Sequence, residues 1–307
     1  MFIFSLIFTV IGLALFEVIS SVDNAIINAE VLGGMSAKAR KWFLMWGILF
    51  AVFVVRGTLP WLIVWAATPS LGLLGSFTAT FSNDPSVKSA IESSSPILLM
   101  GGGIFLLFLF LHWLFLEDKH FGLPGERFFA RQGAWFYAVV SILLTTIVWF
   151  AMKINPMLAF GAVVGSTAFF ITHGFKQNAE TAEQKLVHGN SAMSDLSKIL
   201  YLEIIDMTFS IDGVLGAFAF TLAVPLILLG NGLGAIVVRY ITVSNIERIK
   251  KFPLLKNGAM YSVLALGIIM LLHAFGYEVP EWASPSVTTL IIAYFVMRSF
   301  FRPNPAL

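Results

Sequence analysis

Long apolar runs separated by short polar breaks make up most of this 307-residue chain. A helix needs about 20 mostly apolar residues to cross the hydrocarbon core of a bilayer, and most of the runs reach that length. We therefore predict an all-α polytopic membrane protein of about nine transmembrane helices, in one transmembrane domain over 1–307. The predicted spans are roughly 3–32, 42–66, 97–116, 134–152, 156–175, 198–222, 226–246, 259–277 and 285–301.

Proline, glycine and polar residues mark the breaks between these spans. Asn155 and Pro156 form the predicted link between the fourth and fifth spans, and Pro225 separates the sixth from the seventh. Two polar segments are longer. We predict a flexible cap or a short amphipathic helix over 68–96, and a partly helical loop over 176–197. Neither segment is long enough for a soluble domain.

Composition supports a membrane protein. The chain is 58% hydrophobic and 12% charged, with a mean hydropathy of +0.87, whereas a soluble protein of this length needs far more polar surface. The absence of cysteine excludes disulfides and thiolate metal sites. The first 20 residues lack a basic start and a small-residue cleavage site, so we expect a retained helix and not a signal peptide.

The distribution of Lys and Arg predicts the orientation, because basic residues concentrate in cytoplasmic loops. One set of alternate loops and ends holds Lys38, Arg40, Lys41, Lys119, Arg127, Arg131, Lys176, Lys185, Lys198, Arg248, Lys250, Lys251, Lys256, Arg298 and Arg302. The other set holds only Lys88 and Lys153. This asymmetry predicts a multi-pass protein of the bacterial inner (plasma) membrane, with its N-terminus outside and its C-terminus in the cytoplasm.

Carboxylates interrupt two of the predicted spans. Glu17 and Asp23 lie in the first span, and Glu203, Asp206 and Asp212 lie in the sixth. A charge at membrane depth costs a few kcal/mol on insertion scales, about 3 for an aspartate at the centre of a helix. Such residues therefore indicate a functional site.

The two acidic segments also indicate an internal repeat. Residues 21–24 (SVDN) align with 210–213 (SIDG) at an offset of 189 residues, and the same offset places Glu17 on Asp206. Because the first and sixth spans cross in opposite directions, the repeat is predicted to be inverted, with a substrate site where its two copies meet. The predicted parts are repeat 1 over 3–116, connecting helices over 134–175, repeat 2 over 198–277 and a final helix over 285–301.

All of the candidate ligands in these segments bind metal through oxygen. The candidate metal ligands are Glu17, Asp23, Asn24, Glu203, Asp206, Ser210 and Asp212, with Ser20 and Ser21 as further possible ligands. Sites built from oxygen favour hard cations such as Mn²⁺, Ca²⁺ and Mg²⁺, whereas Zn²⁺ and copper favour His or Cys. Arg56 and Arg239, each in the span that follows an acidic one, are candidate counter-ions or gates.

Other interpretations of the same residues stay open. A single buried acid such as Glu17 could be a protonated packing residue, and the serines could bond to the carbonyls of their own helix. Asp23 and Asp212 could form the dyad of an intramembrane aspartyl protease, although the second copy lacks a G-x-G-D sequence. The polar segment 176–197 could instead make the protein a membrane scaffold in a metal or tellurite stress response.

The sequences FEVISSVDNAIINAEVLGGM and YLEIIDMTFSIDGVLGAFAFT resemble the two signature segments of the TerC family of integral membrane proteins, in particular a branch of unknown function. The family is grouped with LysE-type exporters and is associated with tellurite (tellurium) resistance and manganese efflux. The resemblance implies a manganese exporter that uses the acidic residues named above.

Taken together, these observations predict a divalent metal transporter and not an enzyme. The expected partners are membrane lipid and a divalent cation held at mid-membrane between the two acidic helices, with no nucleic acid. Mn²⁺ is the expected ion, Ca²⁺ or Mg²⁺ the alternatives, and metal/proton exchange a further possibility.

Overall fold

The computed structural model describes residues 2–21, 31–32, 35–47, 50, 56–79, 85–119, 122–188, 194–244 and 252–301. These residues form helices and connections, and no strand occurs among them. The α-helices are α1 (Phe2–Ser20), α2 (Ala37–Trp42), α3 (Arg56–Ala67), α4 (Gly72–Ala79), α5 (Pro85–Leu116), α6 (Glu126–Ala130), α7 (Phe136–Ile154), α8 (Pro156–His188), α9 (Asp195–Ala217), α10 (Val224–Ser244), α11 (Leu255–Ala274) and α12 (Ala283–Phe300). A π-helix covers Phe43–Gly47, and single 3₁₀ turns cover Pro69–Leu71 and Gly133–Trp135.

The predicted all-α membrane architecture is confirmed. Within the described ranges, 5 helical stretches are long and apolar enough to cross a membrane: Ile3–Ser20, Ser93–Leu116, Gly133–Ile154, Pro156–Phe175 and Leu255–Ala274. Counting the bent pair Gly57–Ala66 and Pro69–Ser76 as one span makes the number 6. The pair turns by 103° at its break. The count of nine spans stays a prediction.

Helices end and begin at polar residues that the sequence marks as breaks. Asn155 ends α7 in an extended conformation, and its Oδ1 accepts a hydrogen bond from the backbone N–H of Met157 at 2.9 Å. Pro156 then begins α8, where the missing N–H of proline costs nothing. Ser194 caps α9 by accepting a bond from the N–H of Ser197. The predicted link at 155–156 is confirmed.

The long predicted loop over 68–96 is largely helical in its described part. It contains α4, and α5 begins at Pro85, although the apolar span within α5 begins at Ser93, close to the predicted 97. In the serine-rich part of α5, the hydroxyls of Ser93 and Ser94 both donate to the carbonyl of Ala90. The segment 176–197 is helical in part, as predicted, since α8 continues to His188.

Helix α5 lies at the centre of the bundle and packs against α8 on one side and α11 on another. Small residues allow the close approach to α8. A Cβ atom added to Gly165 would lie 2.1 Å from the carbonyl oxygen of Gly101, and one added to Gly161 would lie 2.7 Å from that of Ile97. This is the small-residue packing by which membrane helices associate without a hydrophobic driving force between them.

A second group of helices surrounds α1. Helix α10 packs along it, and α9, α11 and α12 complete its surroundings. Helix α3 in turn packs against both α9 and α10. The helices that carry the predicted acidic segments are therefore neighbours.

A buried carboxylate ties the connection after α5 to α11. Glu126 is 1% exposed, and its Oε2 accepts a hydrogen bond from Asn257 Nδ2 at 2.7 Å. Nearby, Lys256 Nζ lies 2.7 Å from Glu117 Oε2. The α5–α6 connection is thus held to the first turns of α11.

We expect Asn257→Leu to lower the free energy of unfolding by about 1–3 kcal/mol, because it removes the side-chain amide that donates to the buried Glu126 carboxylate. Denaturation of the purified protein in detergent measures the loss. Ser262→Ala is the matched control, since this buried hydroxyl donates to the Gly258 carbonyl of its own helix. Equal losses in the two variants would show that the Asn257 amide has no special role.

The two ends of α11 allow a test of orientation in a chain that has no native cysteine. Asp118 and Glu278 are exposed and lie near opposite ends of this helix. The N-terminal segment is on the Glu278 side, because Ser5 Oγ donates to Glu281 Oε2 at 2.8 Å. We expect an impermeant maleimide to label Glu278→Cys from outside intact cells and Asp118→Cys only after lysis. Labelling of both from one side would contradict the predicted topology.

Candidate functional site

Glu17 lies inside an apolar helix and is 1% exposed. Its position at the last turn of α1 is stabilised by two serines that follow it. Ser21 Oγ donates to Glu17 Oε1 at 2.6 Å, and Ser20 Oγ donates to the Glu17 backbone carbonyl at 3.3 Å. The i, i+4 spacing of Glu17 and Ser21 puts both side chains on one face, so the hydroxyl orients the carboxylate.

Glycines bring two other helices close to this carboxylate. A Cβ atom on Gly213 of α9 would lie 3.1 Å from Glu17 Oε2. A Cβ atom on Gly234 of α10 would lie 2.6 Å from the Cβ of Glu17 and 2.7 Å from the Ala14 carbonyl oxygen. Helix α10 could not approach α1 so closely with a larger residue at Gly234, and a larger residue at Gly213 would crowd the Glu17 carboxylate. The Glu17 carboxylate is consequently located where α1, α9 and α10 meet.

The same contacts establish the relative directions of these helices. Along α1, Phe16 faces Gly216 and Glu17 faces Gly213, so α1 and α9 run antiparallel. Leu13 faces Gly230 and Glu17 faces Gly234, so α1 and α10 run parallel. An inverted repeat requires the two acidic helices to be antiparallel neighbours. The repeat itself and its boundaries stay a prediction.

Three more predicted ligands have described side chains, all of them on α9. Ser210 is 1% exposed and lies one turn before Gly213. Glu203 is 8% exposed, and Asp212 is partly exposed. Ser210 and Glu203 are seven residues apart and share a face of the helix. However, a helix rises about 1.5 Å per residue, so the ten residues from Glu203 to Gly213 correspond to about 15 Å.

The rest of the predicted set lies outside the described residues. Asp23 and Asn24 belong to the undescribed segment 22–30, and the side chains of Asp206, Arg56 and Arg239 are not among those described either. Among the described residues, no group of three or more His, Asp or Glu side chains is arranged to hold a metal ion. The predicted seven-residue ligand set, the Asp23–Asp212 dyad and the two arginine gates therefore stay predictions.

Two features of the structure were not predicted from the sequence. Asn231 on α10 is 1% exposed, and neither its Oδ1 nor its Nδ2 has a hydrogen-bond partner among the described residues. It follows Gly230, and this polar interruption in an apolar helix was the available signal. His112 on α5 and His173 on α8 have ring centroids 3.9 Å apart, although 60 residues separate them in sequence. No periodicity within one helix could reveal that pair.

Comparison with known proteins identifies the family. Residues 22–305 match the family described as "Protein of unknown function (DUF475)". The chain belongs to this family. The match covers nearly all of the chain and includes the second acidic helix in full.

A curated relative is the "Uncharacterized membrane protein YceF" of Bacillus subtilis (strain 168), which is 33% identical over 114 residues. The alignment covers 35% of this chain and 44% of the relative, so the chain spans less than half of that protein. No solved structure gives a significant match.

The family match corrects the resemblance to TerC proteins drawn from the two acidic segments. DUF475 is a distinct family, and nothing in the comparisons links the chain to TerC proteins. The error has a physical origin. Acids spaced along one helix face and followed by Asp-Asn or Asp-Gly are what many buried oxygen sites need, so two segments of about 20 residues cannot discriminate between families. Tellurium resistance and manganese efflux lose the support that this resemblance lent them.

Proposed function

We propose that this protein transports a hard divalent metal cation across the membrane, through a site at the junction of α1, α9 and α10. The observation that supports the proposal best is the Glu17 carboxylate, 1% exposed within an apolar helix and closely approached by two other helices at glycines. Acids at membrane depth are costly and typically mark ion or proton pathways.

The chemistry around Glu17 favours a cation over an anion or an organic substrate. The Ser21 hydroxyl bonds to Glu17 Oε1, and Oε2 of the same carboxylate lies next to Gly213 of α9. Ser210 adds a second buried hydroxyl on α9. Oxygen donors of this kind suit Mn²⁺, Mg²⁺ and Ca²⁺, and they suit softer ions poorly.

Mn²⁺ is the first ion to test, because oxygen ligands such as carboxylates and carbonyls suit it. Purified protein in detergent is expected to melt at a higher temperature in MnCl₂ than in a magnesium-free, calcium-free buffer, since a ligand that binds only the folded state adds stability by mass action. Proteoliposomes are expected to show Mn²⁺ flux. Absence of both effects for Mn²⁺, Mg²⁺ and Ca²⁺ would contradict the proposal.

Zn²⁺ requires a specific control, because His112 and His173 offer it a pair of nitrogen ligands far along the sequence from Glu17. Stabilisation by Zn²⁺ that disappears in His112→Phe and persists in Glu17→Gln would come from the histidine pair. Stronger stabilisation by Zn²⁺ than by Mn²⁺ in His112→Phe would contradict the preference for hard cations.

A further inference from the structure

Asn231 on α10 is a buried polar side chain to which no role has yet been assigned. Its side chain is 1% exposed, and both amide atoms lack a hydrogen-bond partner among the described residues. Burial of an amide without partners costs free energy, so native proteins nearly always provide one, from the chain, from water or from a ligand. The surroundings of Asn231 indicate which of these partners its amide has.

The helical register of α10 shows which way Asn231 faces. Leu228, Asn231 and Gly234 are successive positions three residues apart, so Asn231 lies between the other two, about 60° from each around the helix axis. Gly234 contacts α1 at Glu17, whereas Leu228 contacts α3, where a Cβ atom on Gly57 would lie 3.1 Å from Leu228 Cδ2. Asn231 therefore faces the space between α1 and α3.

Helix α9 closes that space, because it packs against α1, α3 and α10. Asn231 is also close to the depth of Glu17. It precedes Gly234, the residue opposite Glu17, by three positions, which correspond to about 4.5 Å along the helix. The opposite face of α10 carries the exposed Leu229, Leu233 and Ile236, so Asn231 cannot be a lipid-facing residue.

We propose that Asn231 lines the cation path next to Glu17 and provides its Oδ1 as a neutral oxygen ligand to the transported ion. This inference rests on the proposed transport function and extends it to a residue outside the acidic segments. A neutral amide beside a carboxylate supplies an oxygen ligand without adding a second negative charge to the membrane interior.

The test compares Mn²⁺ affinity, measured by isothermal titration of the purified full-length chain with MnCl₂, in wild type and three variants. Asn231→Leu is expected to weaken Mn²⁺ binding at least tenfold while the melting temperature without metal stays the same or rises, since an apolar group of similar size replaces an amide that has no hydrogen-bond partner among the described residues. Asn231→Asp, which keeps an oxygen ligand, is expected to bind Mn²⁺ at least as tightly as wild type. Thr288→Val is the matched control.

Thr288 suits this control because it is 0% exposed on α12 and its hydroxyl also lacks a hydrogen-bond partner among the described residues. Thr288→Val is expected to change the Mn²⁺ affinity less than twofold. Wild-type affinity in Asn231→Leu, or an equal loss in Asn231→Leu and Asn231→Asp, would overturn the assignment of Asn231 as a ligand. If Glu17→Gln still weakens binding in that case, the transport proposal survives; if wild type binds none of Mn²⁺, Mg²⁺ and Ca²⁺, both proposals fail.

Discussion

Glu17→Gln is expected to weaken Mn²⁺ binding at least tenfold, which corresponds to about 1.4 kcal/mol, and to abolish most of the flux in proteoliposomes. Glutamine keeps the shape of the side chain and can still accept the hydrogen bond from Ser21. What it removes is the negative charge, and the number of charged ligands is a main determinant of the affinity of an oxygen site. Titration calorimetry and metal-dependent melting measure the change.

The same substitution is expected to leave the protein folded. A neutral amide is less costly to bury in a membrane than a carboxylate, so the melting temperature without metal should stay constant or rise. Glu126→Gln is the matched control, because Glu126 is also 1% exposed but bonds to Asn257 on α11. It should retain Mn²⁺ affinity even if its stability falls. If Glu17→Gln retained its Mn²⁺ affinity as Glu126→Gln is expected to, Glu17 would be a packing residue.

Gly165→Ala is expected to destabilise the protein by about 3 kcal/mol or more, a loss at the upper end of overpacking effects. The added Cβ would lie 2.1 Å from the Gly101 carbonyl oxygen and 2.7 Å from the Gly101 Cα atom. These are backbone atoms of α5, which cannot move aside as a flexible side chain could. Helices α5 and α8 must therefore separate, and the contact at the centre of the bundle is lost. Equilibrium unfolding in detergent measures the effect.

Gly174 provides the control on the same helix. A Cβ atom there meets nothing within 4 Å, so Gly174→Ala should be neutral or should stabilise α8 by up to about 1 kcal/mol through helix propensity. If Gly165→Ala were as stable as Gly174→Ala, the close α5–α8 crossing would be wrong. Protein that remains folded in Gly165→Ala should keep its Mn²⁺ affinity, because Gly165 lies outside the Glu17 junction.

The helices were predictable because their signals are local. Apolar runs determine where α7, α8 and α11 lie, and Asn155 and Pro156 end one helix and begin the next within two residues. Helix α5 begins at Pro85, within the segment predicted as a flexible cap or a short amphipathic helix, and its apolar span begins at Ser93, close to the predicted 97. The hydroxyls of Ser93 and Ser94 both donate to the Ala90 carbonyl within this helix, which a polarity pattern does not show.

The site was predictable only in part. A buried acid in an apolar run singles out Glu17, since the cost of its burial is a property of the residue and its helix. Which of the candidate ligands lie close enough to bind one ion depends on distances between helices. Glu203 shares a face with Ser210, yet it lies about 15 Å along α9 from Gly213, where Glu17 approaches. The family assignment was wrong because two short segments show the local chemistry of a site, which different families can share.

By itself, the sequence determined that this protein is a helical membrane protein and that Glu17 is a residue to explain. Hydropathy, proline positions and the burial cost of a carboxylate act within one segment, so they can be read from that segment. Only the tertiary structure decided that α9 and α10 reach Glu17 at Gly213 and Gly234, and that Asn231 faces the space beside it. Those facts depend on which helices pack together. Glycines four residues apart, such as Gly230 and Gly234, can mark a packing face in the sequence, but they do not say which helix packs against it.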